Sequence, residues 1–422
     1  MSKSQIKNVS VIGLGYIGLP TAAMFASRKV KVIGVDISQY AVDTINQGKI
    51  HIVEPELDMI VHAAVTEGYL RASTTPEAAD AFLIAVPTPF KENFEPDLSY
   101  VQAAAESIAP VLKKGDIVIL ESTSPVGSTE QMVEWLAAAR ADLKFPIAGA
   151  TDIDVFIAYC PERVLPGQVV RELVANDRII GGLTAECSRR AKEVYRVFVQ
   201  GELLETNART AEMCKLTENA SRDVSIAFAN ELSLICDKLD INVWELIKLA
   251  NHHPRVNILQ PGAGVGGHCI AVDPWFIVNK TPEQAKLIRA AREVNDGKPK
   301  WVIDKVITAV EQQIKLGKKK SDIKIACFGL AFKPDIDDLR ESPSLDITLG
   351  LLREFPGQVV AVEPNVQSSP TMLEFAGGKL VDLDAGLNAD ILVMLVEHAE
   401  FKQQKPMIKP NQTLVDAKGI WI

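Results

Sequence analysis

A chain of 422 residues is too long for one hydrophobic core and predicts two or three domains. Hydrophobic residues make up 47% and charged residues 23%, the balance of a globular enzyme. The net charge is −9, and Lys318-Lys319-Lys320 is the one basic run, which argues against nucleic acid as a partner. The polar start Met1-Ser2-Lys3-Ser4-Gln5 leads straight into a predicted strand, so no signal peptide is expected. The longest apolar runs are strand-sized, so neither is a membrane span. Six scattered cysteines (160, 187, 214, 236, 269 and 327) without a CxxC pair read as reduced thiols and point to the cytoplasm. No cysteine–histidine cluster has zinc-ligand spacing, and no metal is expected.

In chain order, Val9-Ser10-Val11-Ile12 predicts a strand, Leu19 to Ser27 a helix and Lys31 to Val35 the next strand. Ala81 to Val86 and Ile117 to Leu120 follow as strands, with helical segments between. This alternation reads as a parallel doubly wound α/β sheet running to about residue 200. From Thr210 to about Asp237 the chain lacks glycine and proline and has helical apolar spacing, which predicts one long helix. A second helix covers Asn242 to Asn251, and Pro261-Gly262-Ala263-Gly264-Val265-Gly266-Gly267 then breaks the pattern. Helical spacing returns from Pro282 to Leu316, with a kink expected near Gly297 and Pro299. The charged stretch Lys318 to Asp322 is a candidate boundary. Strands at Ile323 to Gly329, Val359 to Glu363, Ile391 to Val396 and Thr413 to Asp416 then form a second, smaller α/β unit. The expected division is 1–205, 206–317 and 318–422.

Gly13-Leu14-Gly15-Tyr16-Ile17-Gly18 follows a strand and opens a helix. The first glycine permits a tight turn, the second lets backbone approach a pyrophosphate, and the third allows close helix–sheet packing. The free N–H groups and positive end of the helix then face the phosphates. Asp36 ends the second strand about 20 residues on. Its carboxylate suits both ribose hydroxyls and would repel a 2′-phosphate, which favours NAD over NADP. Thr88, Thr123 and Thr129 lie beyond later strands of the same sheet, where ligands bind. They are candidates for ribose, nicotinamide or water contacts, or for ordinary turn and cap chemistry.

On the long helix, Lys215, Asn219 and Arg222 fall within about 60° of one another, with Glu212 and Glu218 bordering the stripe. A solvated face would look the same. The flanking Met213, Leu216, Val224, Ile226 and Phe228 suggest instead a helix mostly inside the protein, where a lysine can serve as acid or base. Cys269 sits in Gly266-Gly267-His268-Cys269-Ile270-Ala271-Val272-Asp273-Pro274. A thiol displayed after glycines can hold an aldehyde as a thiohemiacetal ready for a second oxidation. A buried, inert cysteine is the alternative, and so the other five are read. His268 as partner base is conceivable, although adjacent residues point apart. In Cys160-Pro161-Glu162-Arg163-Val164, after the apolar Val155 to Ala158, Glu162 suits a base towards water and Arg163 an anion clamp. An ion pair is the competing reading.

The glycine loop with Leu19-Pro20, Glu121-Ser122-Thr123-Ser124-Pro125-Val126-Gly127, Cys160 to Arg163, Lys215 to Asn219, Gly266 to Cys269 and Phe332-Lys333-Pro334-Asp335-Ile336-Asp337-Asp338-Leu339-Arg340-Glu341-Ser342-Pro343 together resemble the UDP-glucose/GDP-mannose dehydrogenase family. The resemblance covers essentially the whole chain. The cysteine segment and Arg340 to Pro343 are specific, whereas the glycine loop is shared with many enzymes. It implies two Rossmann-like doubly wound parallel-sheet domains joined by a central helical segment with a long helix, and a homodimer formed through the middle. It implies oxidation of C6 of a UDP-sugar to a carboxylate with two NAD. Cys269 would be the nucleophile, Lys215 and Asn219 would stabilise the oxyanion, and Asp273, Glu162 and Thr123 would handle protons and water. Lys333 and Arg340 would reach the substrate, and Arg255 matches an arginine that comes from the neighbouring subunit in such enzymes. The glucose-acting branch usually has Leu-Pro-Lys-Asp after the cysteine, where this chain has Ile270-Ala271-Val272-Asp273 preceded by His253-Pro254-Arg255. It is therefore more similar to the N-acetylhexosamine branch, in which Arg163, Val164, Arg222, His253 and Gly266 are also substrate contacts.

Two other functions fit parts of the chain. A two-electron hydroxy-acid dehydrogenase needs neither the cysteine nor a second α/β domain and would yield one NADH per substrate. A regulator that binds NAD or a nucleotide sugar without catalysis would yield none.

Overall fold

The apolar runs become the inner strands of two sheets, and these strands are buried on both faces. The computed structural model describes residues 6–91, 94–147, 150, 152–165, 167–267 and 269–422. The chain divides into two compact units, one ending at Glu218 and one from Asn219 to Ile422, so the division falls inside the long helix.

In the first unit, β1 (Asn8–Ile12), β2 (Lys31–Val35), β3 (Leu70–Ser73), β4 (Ala81–Ile84), β5 (Ile117–Leu120), β6 (Phe156–Tyr159), β7 (Arg178–Gly182) and β8 (Leu203–Asn207) form one sheet in the order β3-β2-β1-β4-β5-β6-β7-β8. Alternate residues divide between two cores. Ala81 and Leu83 of β4 and Ile117 and Ile119 of β5 enter one. Phe82, Ile84, Val118 and Leu120 enter the other. A strand covered on both faces has no polar alternation, which is why these runs are continuous. The sheet departs from the expected all-parallel arrangement at one place, because β7 runs antiparallel to β6 through Ala158↔Gly182 and Tyr159↔Gly181. Both glycines are needed there. A Cβ at Gly181 would stand 2.5 Å from the carbonyl of Asn207, and one at Gly182 2.3 Å from the Ser188 nitrogen. The sheet also extends to Asn207, past the expected limit.

The second unit contains β9 (Ile325–Phe328), β10 (Val359–Val362), β11 (Ile391–Met394) and β12 (Thr413–Asp416), all parallel, in the order β10-β9-β11-β12. Ile325, Cys327, Ile391 and Val393 face one core, and Ala326, Phe328, Leu392 and Met394 the other. The long helix is Ala208–Lys238, and Asn242 caps the next one, Val243–Ala250, by accepting from the amides of Trp244 and Glu245.

Pro299, near which a kink is expected, lies inside a helix. The helix Lys286–Lys315 continues through it, and Pro299 packs against Gly264, where an added Cβ would stand 3.3 Å from the proline ring and 2.9 Å from Pro343. The Lys318 to Asp322 stretch holds a short 3₁₀ turn, Lys320–Asp322, and Lys318 pairs with Asp390. Among the described residues, no helix is long and apolar enough to cross a membrane.

Candidate active site

The glycine turn at the end of β1 is built from three different requirements. Gly13 has φ +90°, and a Cβ there would meet the carbonyl oxygen of Ala85 at 2.6 Å. A Cβ at Gly18 would stand 1.8 Å from the Gly13 carbonyl oxygen. Nothing lies within 4 Å of the Cβ position of Gly15, so packing leaves that backbone open to a diphosphate. The helix Gly18–Ser27 starts at Ile17 with no side chain capping it, and Tyr16 is exposed beside it. Asp36 is partly exposed. Its carboxylate accepts from the amides of Leu14 at 2.8 Å and Ser38 at 2.9 Å, which orients it at the strand end. These residues fit NAD on their own geometry: open backbone for the phosphates and an oriented acid for a ribose.

Beyond β4 and β5, the Thr88 hydroxyl donates to the Thr123 carbonyl at 2.5 Å, so the two candidate threonines are joined and both stay partly accessible. Thr129 is placed differently from the expected cofactor contact. It is buried, and its hydroxyl and amide donate to Glu212 at 2.6 and 2.8 Å, while the Gly127 amide donates to the same carboxylate at 2.7 Å. Glu212 thus fills the start of the helix Ser128–Ala139 with the protein's own anion. Burial pushes its pKa up against those hydrogen bonds.

Glu162 is buried, not open to water. Its Oε2 accepts from Arg178 at 2.7 Å and its Oε1 from the Arg163 amide at 2.6 Å. Arg178, itself buried on β7, also lies 4.0 Å from Glu121, which accepts from the Tyr195 hydroxyl at 2.6 Å. Burial pushes Glu121 up to about 7, although Arg178 opposes the shift. Sequence reasoning misses Arg178 because its partners come from other strands. Arg163 joins Glu218 of the long helix in a two-pronged pair at 3.1 and 2.8 Å, so its guanidinium is an ion-pair partner. Val164 is half-buried against the neighbouring core.

The long helix is less enclosed than its apolar flank suggests. Leu216 is buried, but Met213 and Phe228 are exposed, Lys215 is half-buried and Arg222 is exposed. Asn219 donates to Asp273 at 2.5 Å, and Asp273 is buried at the start of the helix Asp273–Lys280. The Asp273 amide donates to the carbonyl of Cys269 at 2.9 Å, closing a single turn. Cys269 is exposed, while Cys160, Cys187, Cys236 and Cys327 are buried and Cys214 partly so. Burial pushes the Cys160 and Cys327 thiols up to about 12, so neither is a thiolate near neutrality. His268 lies outside the described residues.

The glycines before Cys269 are required by contact with the loop after β9. A Cβ at Gly266 would stand 2.4 Å from the Glu341 carbonyl oxygen, and one at Gly267, where φ is +81°, 2.9 Å from the Phe332 ring. Gly266 therefore serves packing. The same loop carries Lys333, exposed, and Arg340, whose guanidinium engages Asp338 at 2.6 Å. His253 and Arg255 are exposed on a separate loop, closed at its base by paired hydrogen bonds between Asn251 and Ile258.

Three domain profiles of the UDP-glucose/GDP-mannose dehydrogenase family match in order: the NAD binding domain over residues 7–199, the central domain over 209–297 and the UDP binding domain over 326–422. The chain belongs to the UDP-glucose/GDP-mannose dehydrogenase family. As a member of that family it is an NAD-dependent UDP-sugar dehydrogenase, with the two Rossmann-like α/β units and central helices that the motifs led us to expect. UDP-N-acetyl-D-mannosamine dehydrogenase of Escherichia coli (strain K12) is 64% identical over 415 residues, spanning 98% of this chain and 99% of that protein. NDP-N-acetyl-D-galactosaminuronic acid dehydrogenase of Ralstonia nicotianae is 60% identical, spanning 98% and 96%. The solved structure of the UDP-D-ManNAc dehydrogenase of Pyrococcus horikoshii has a TM-score of 0.85 at 38% identity and covers 98% of this chain and 96% of its own.

Proposed function

We propose that the protein oxidises the C6 hydroxyl of UDP-N-acetyl-D-mannosamine to the uronate in two steps through Cys269. The product would feed surface polysaccharide synthesis of the enterobacterial common antigen type. The observation that carries this reading is the single exposed turn of Cys269, whose carbonyl binds the Asp273 amide while the Asp273 carboxylate holds Asn219. The 64% identity to an enzyme of that name supports the choice of sugar, and the Ralstonia relative marks the galactosamine sugar, which differs at C2 and C4, as the competing substrate.

Gly13, Gly15, Tyr16, Ile17, Gly18, Asp36 and Thr88 would hold NAD, which would supply the hydride acceptor twice per sugar. In the first step the C6 alcohol loses a hydride and a proton and becomes an aldehyde. The Cys269 thiol adds to that carbonyl, forming a C–S bond and a thiohemiacetal. Loss of a second hydride and the hydroxyl proton leaves a thioester. Water then attacks, the C–S bond breaks, and the carboxylate and thiol are released. Lys215 and Asn219 stabilise the negative oxygen at each stage, and Asn219 is oriented for this by Asp273. Asp273 and Thr123 accept or relay protons. Glu162, held by Arg178 and the Arg163 amide, is a fixed buried carboxylate that supports the Cys160 to Arg163 segment instead of acting as a base towards water. Lys333 and Arg340 take the diphosphate end. Arg163, Val164, Arg222, His253 and Gly266 surround the sugar, and Arg255 is contributed to the partner's site in a homodimer. The functional segments are 1–205, 206–317 and 318–422. Unpaired thiols at the other five cysteines suit the reducing cytoplasm.

Incubating the protein with NAD and a panel of UDP-sugars tests this. The expected result is two NADH per UDP-N-acetyl-D-mannosamine, with the uronate identified by mass. Cys269→Ser should make no net acid. Full acid production by that variant removes the covalent step, and preference for another UDP-sugar corrects the substrate.

A further inference from the structure

The two units carry the same glycine turn, built with the same hydrogen bonds. At the end of β1, Gly13 (φ +90°) donates to the Val35 carbonyl at 2.8 Å, and the next amide, Leu14, donates to Asp36, the residue after β2. At the end of β9, Gly329 (φ +92°) donates to the Val362 carbonyl at 2.8 Å, and the next amide, Leu330, donates at 2.7 Å to Glu363, the residue after β10. In a dinucleotide fold this acid reads the ribose. The two acids differ in what else they touch. Asp36 keeps part of its surface. The Glu363 side chain has none, and it is filled by the amides of Ala331 and Asn365 and by Nε2 of His398 at 3.1 Å.

The hydrogen bonds determine the form of His398. Its Nδ1 lies 2.9 Å from the Asp335 amide, which is only a donor, so Nδ1 is the acceptor and Nε2 carries the proton given to Glu363. The imidazole is fully buried, with its ring edge-on to Phe401. A second bond, from the Ala399 amide to the Asp335 carboxylate at 2.8 Å, ties the same two segments. Asp335 is a left-handed residue with φ +60° and depends on such anchors. The stretch from Leu330 to Asp335 is therefore fixed at both ends through one carboxylate and one imidazole. Lys333 stands between the anchors, and Phe332 presses on Gly267, two residues before Cys269.

We propose that His398 is a positioning residue: it occupies Glu363 in place of a ribose and converts a second nucleotide-type turn into the anchor of the loop that presents Lys333 to the substrate diphosphate. This rests on the reading above that Lys333 meets the UDP group.

Titrating the full-length protein with UDP and with NAD, for wild type, His398→Phe, His398→Gln, Lys333→Ala and the Phe/Ala double variant, tests the proposal. Phenylalanine keeps the shape and loses both bonds, whereas a glutamine amide both accepts and donates. UDP affinity should fall about tenfold in His398→Phe with NAD affinity unchanged, and return towards wild type in His398→Gln. Lys333→Ala should cost less in the His398→Phe background than in wild type, a coupling that a purely structural role would not produce. Unchanged UDP affinity in His398→Phe, while Lys333→Ala is impaired, overturns the positioning role. So does additivity of the two substitutions, or loss of folding in both histidine variants. Unchanged affinity in Lys333→Ala instead sinks the substrate reading on which the proposal rests.

Discussion

Arg178 is a buried cation facing two buried carboxylates, Glu162 at 2.7 Å and Glu121 at 4.0 Å. Its guanidinium also stands 4.8 Å over the Tyr195 ring. Enclosed charges of this kind are held by one another, and removing one member leaves the others without compensation. Arg178→Met should therefore cost about 3–5 kcal/mol in urea unfolding, far more than loss of an exposed pair. Adding Glu162→Gln should recover part of that cost, because the orphaned anion goes with it. If Arg178→Met unfolds at the wild-type midpoint, the cluster is not the internal support for the Cys160 to Arg163 segment that its geometry describes. Asn219 and Asp273 give a smaller contrast at the same scale. Their bond joins residues 54 apart, and both ends were candidates from motif alone, although nothing in the spacing paired them.

The two long helices, Ala208–Lys238 and Lys286–Lys315, meet through polar residues as well as apolar ones. Asn230 donates to Asn295 at 2.8 Å, and buried Lys298 reaches the Ser233 hydroxyl with its ammonium 3.6 Å over the Trp301 ring. Burial pushes Lys298 from an ordinary 10.5 down to about 7, with Asp237 opposing and Lys305 adding to the shift. Between those values the unfolded chain holds a proton that the folded protein has released, so this residue's contribution to stability rises with pH across the window. The effect is on the order of a few kcal/mol. Urea midpoints measured at about pH 7 and about pH 9 should rise in wild type and lose that part of the slope in Lys298→Met. Helix and strand cores of this kind were legible in the sequence because doubly covered strands are continuous apolar runs and the long helix lacks glycine and proline. The strands β3, β7 and β8 were not. β7 opens on an arginine and ends on two glycines, and β8 is mostly exposed. The helix Asp273–Lys280 was also missed, although Asp273-Pro274 is a helix-start signal. In the site, the glycine turn, Asp36 and Cys269 could be read from local pattern. Glu212, Arg178, Glu363 and His398 could not, because each takes its role from partners distant in sequence.

For the whole molecule, one face of the long helix is left uncovered by the described residues. Phe228 and Ile235, seven apart on the helix, lie within about 20° of one another and are 51% and 47% exposed, and Leu239, the residue after the helix, is 60% exposed. Leu232, between them, turns inward to Cys236, Val243 and Ile247. Exposed apolar residues of this kind on one side of a helix suit a second copy of the chain. Ile235→Glu with Leu239→Glu should therefore halve the mass seen by sedimentation. Mixing two disabled variants then asks whether the copies share a site. In a Cys269→Ser/Arg255→Ala heterodimer, an Arg255 that serves the partner leaves one site with both residues intact. An Arg255 that serves its own chain leaves every site with a defect. Random re-association makes about half the dimers mixed, each with one complete site of two, so about a quarter of wild-type NADH production should return only in the shared case. Recovery near that level places Arg255 across the dimer. No recovery from a mixture that sediments as dimers confines it to its own subunit.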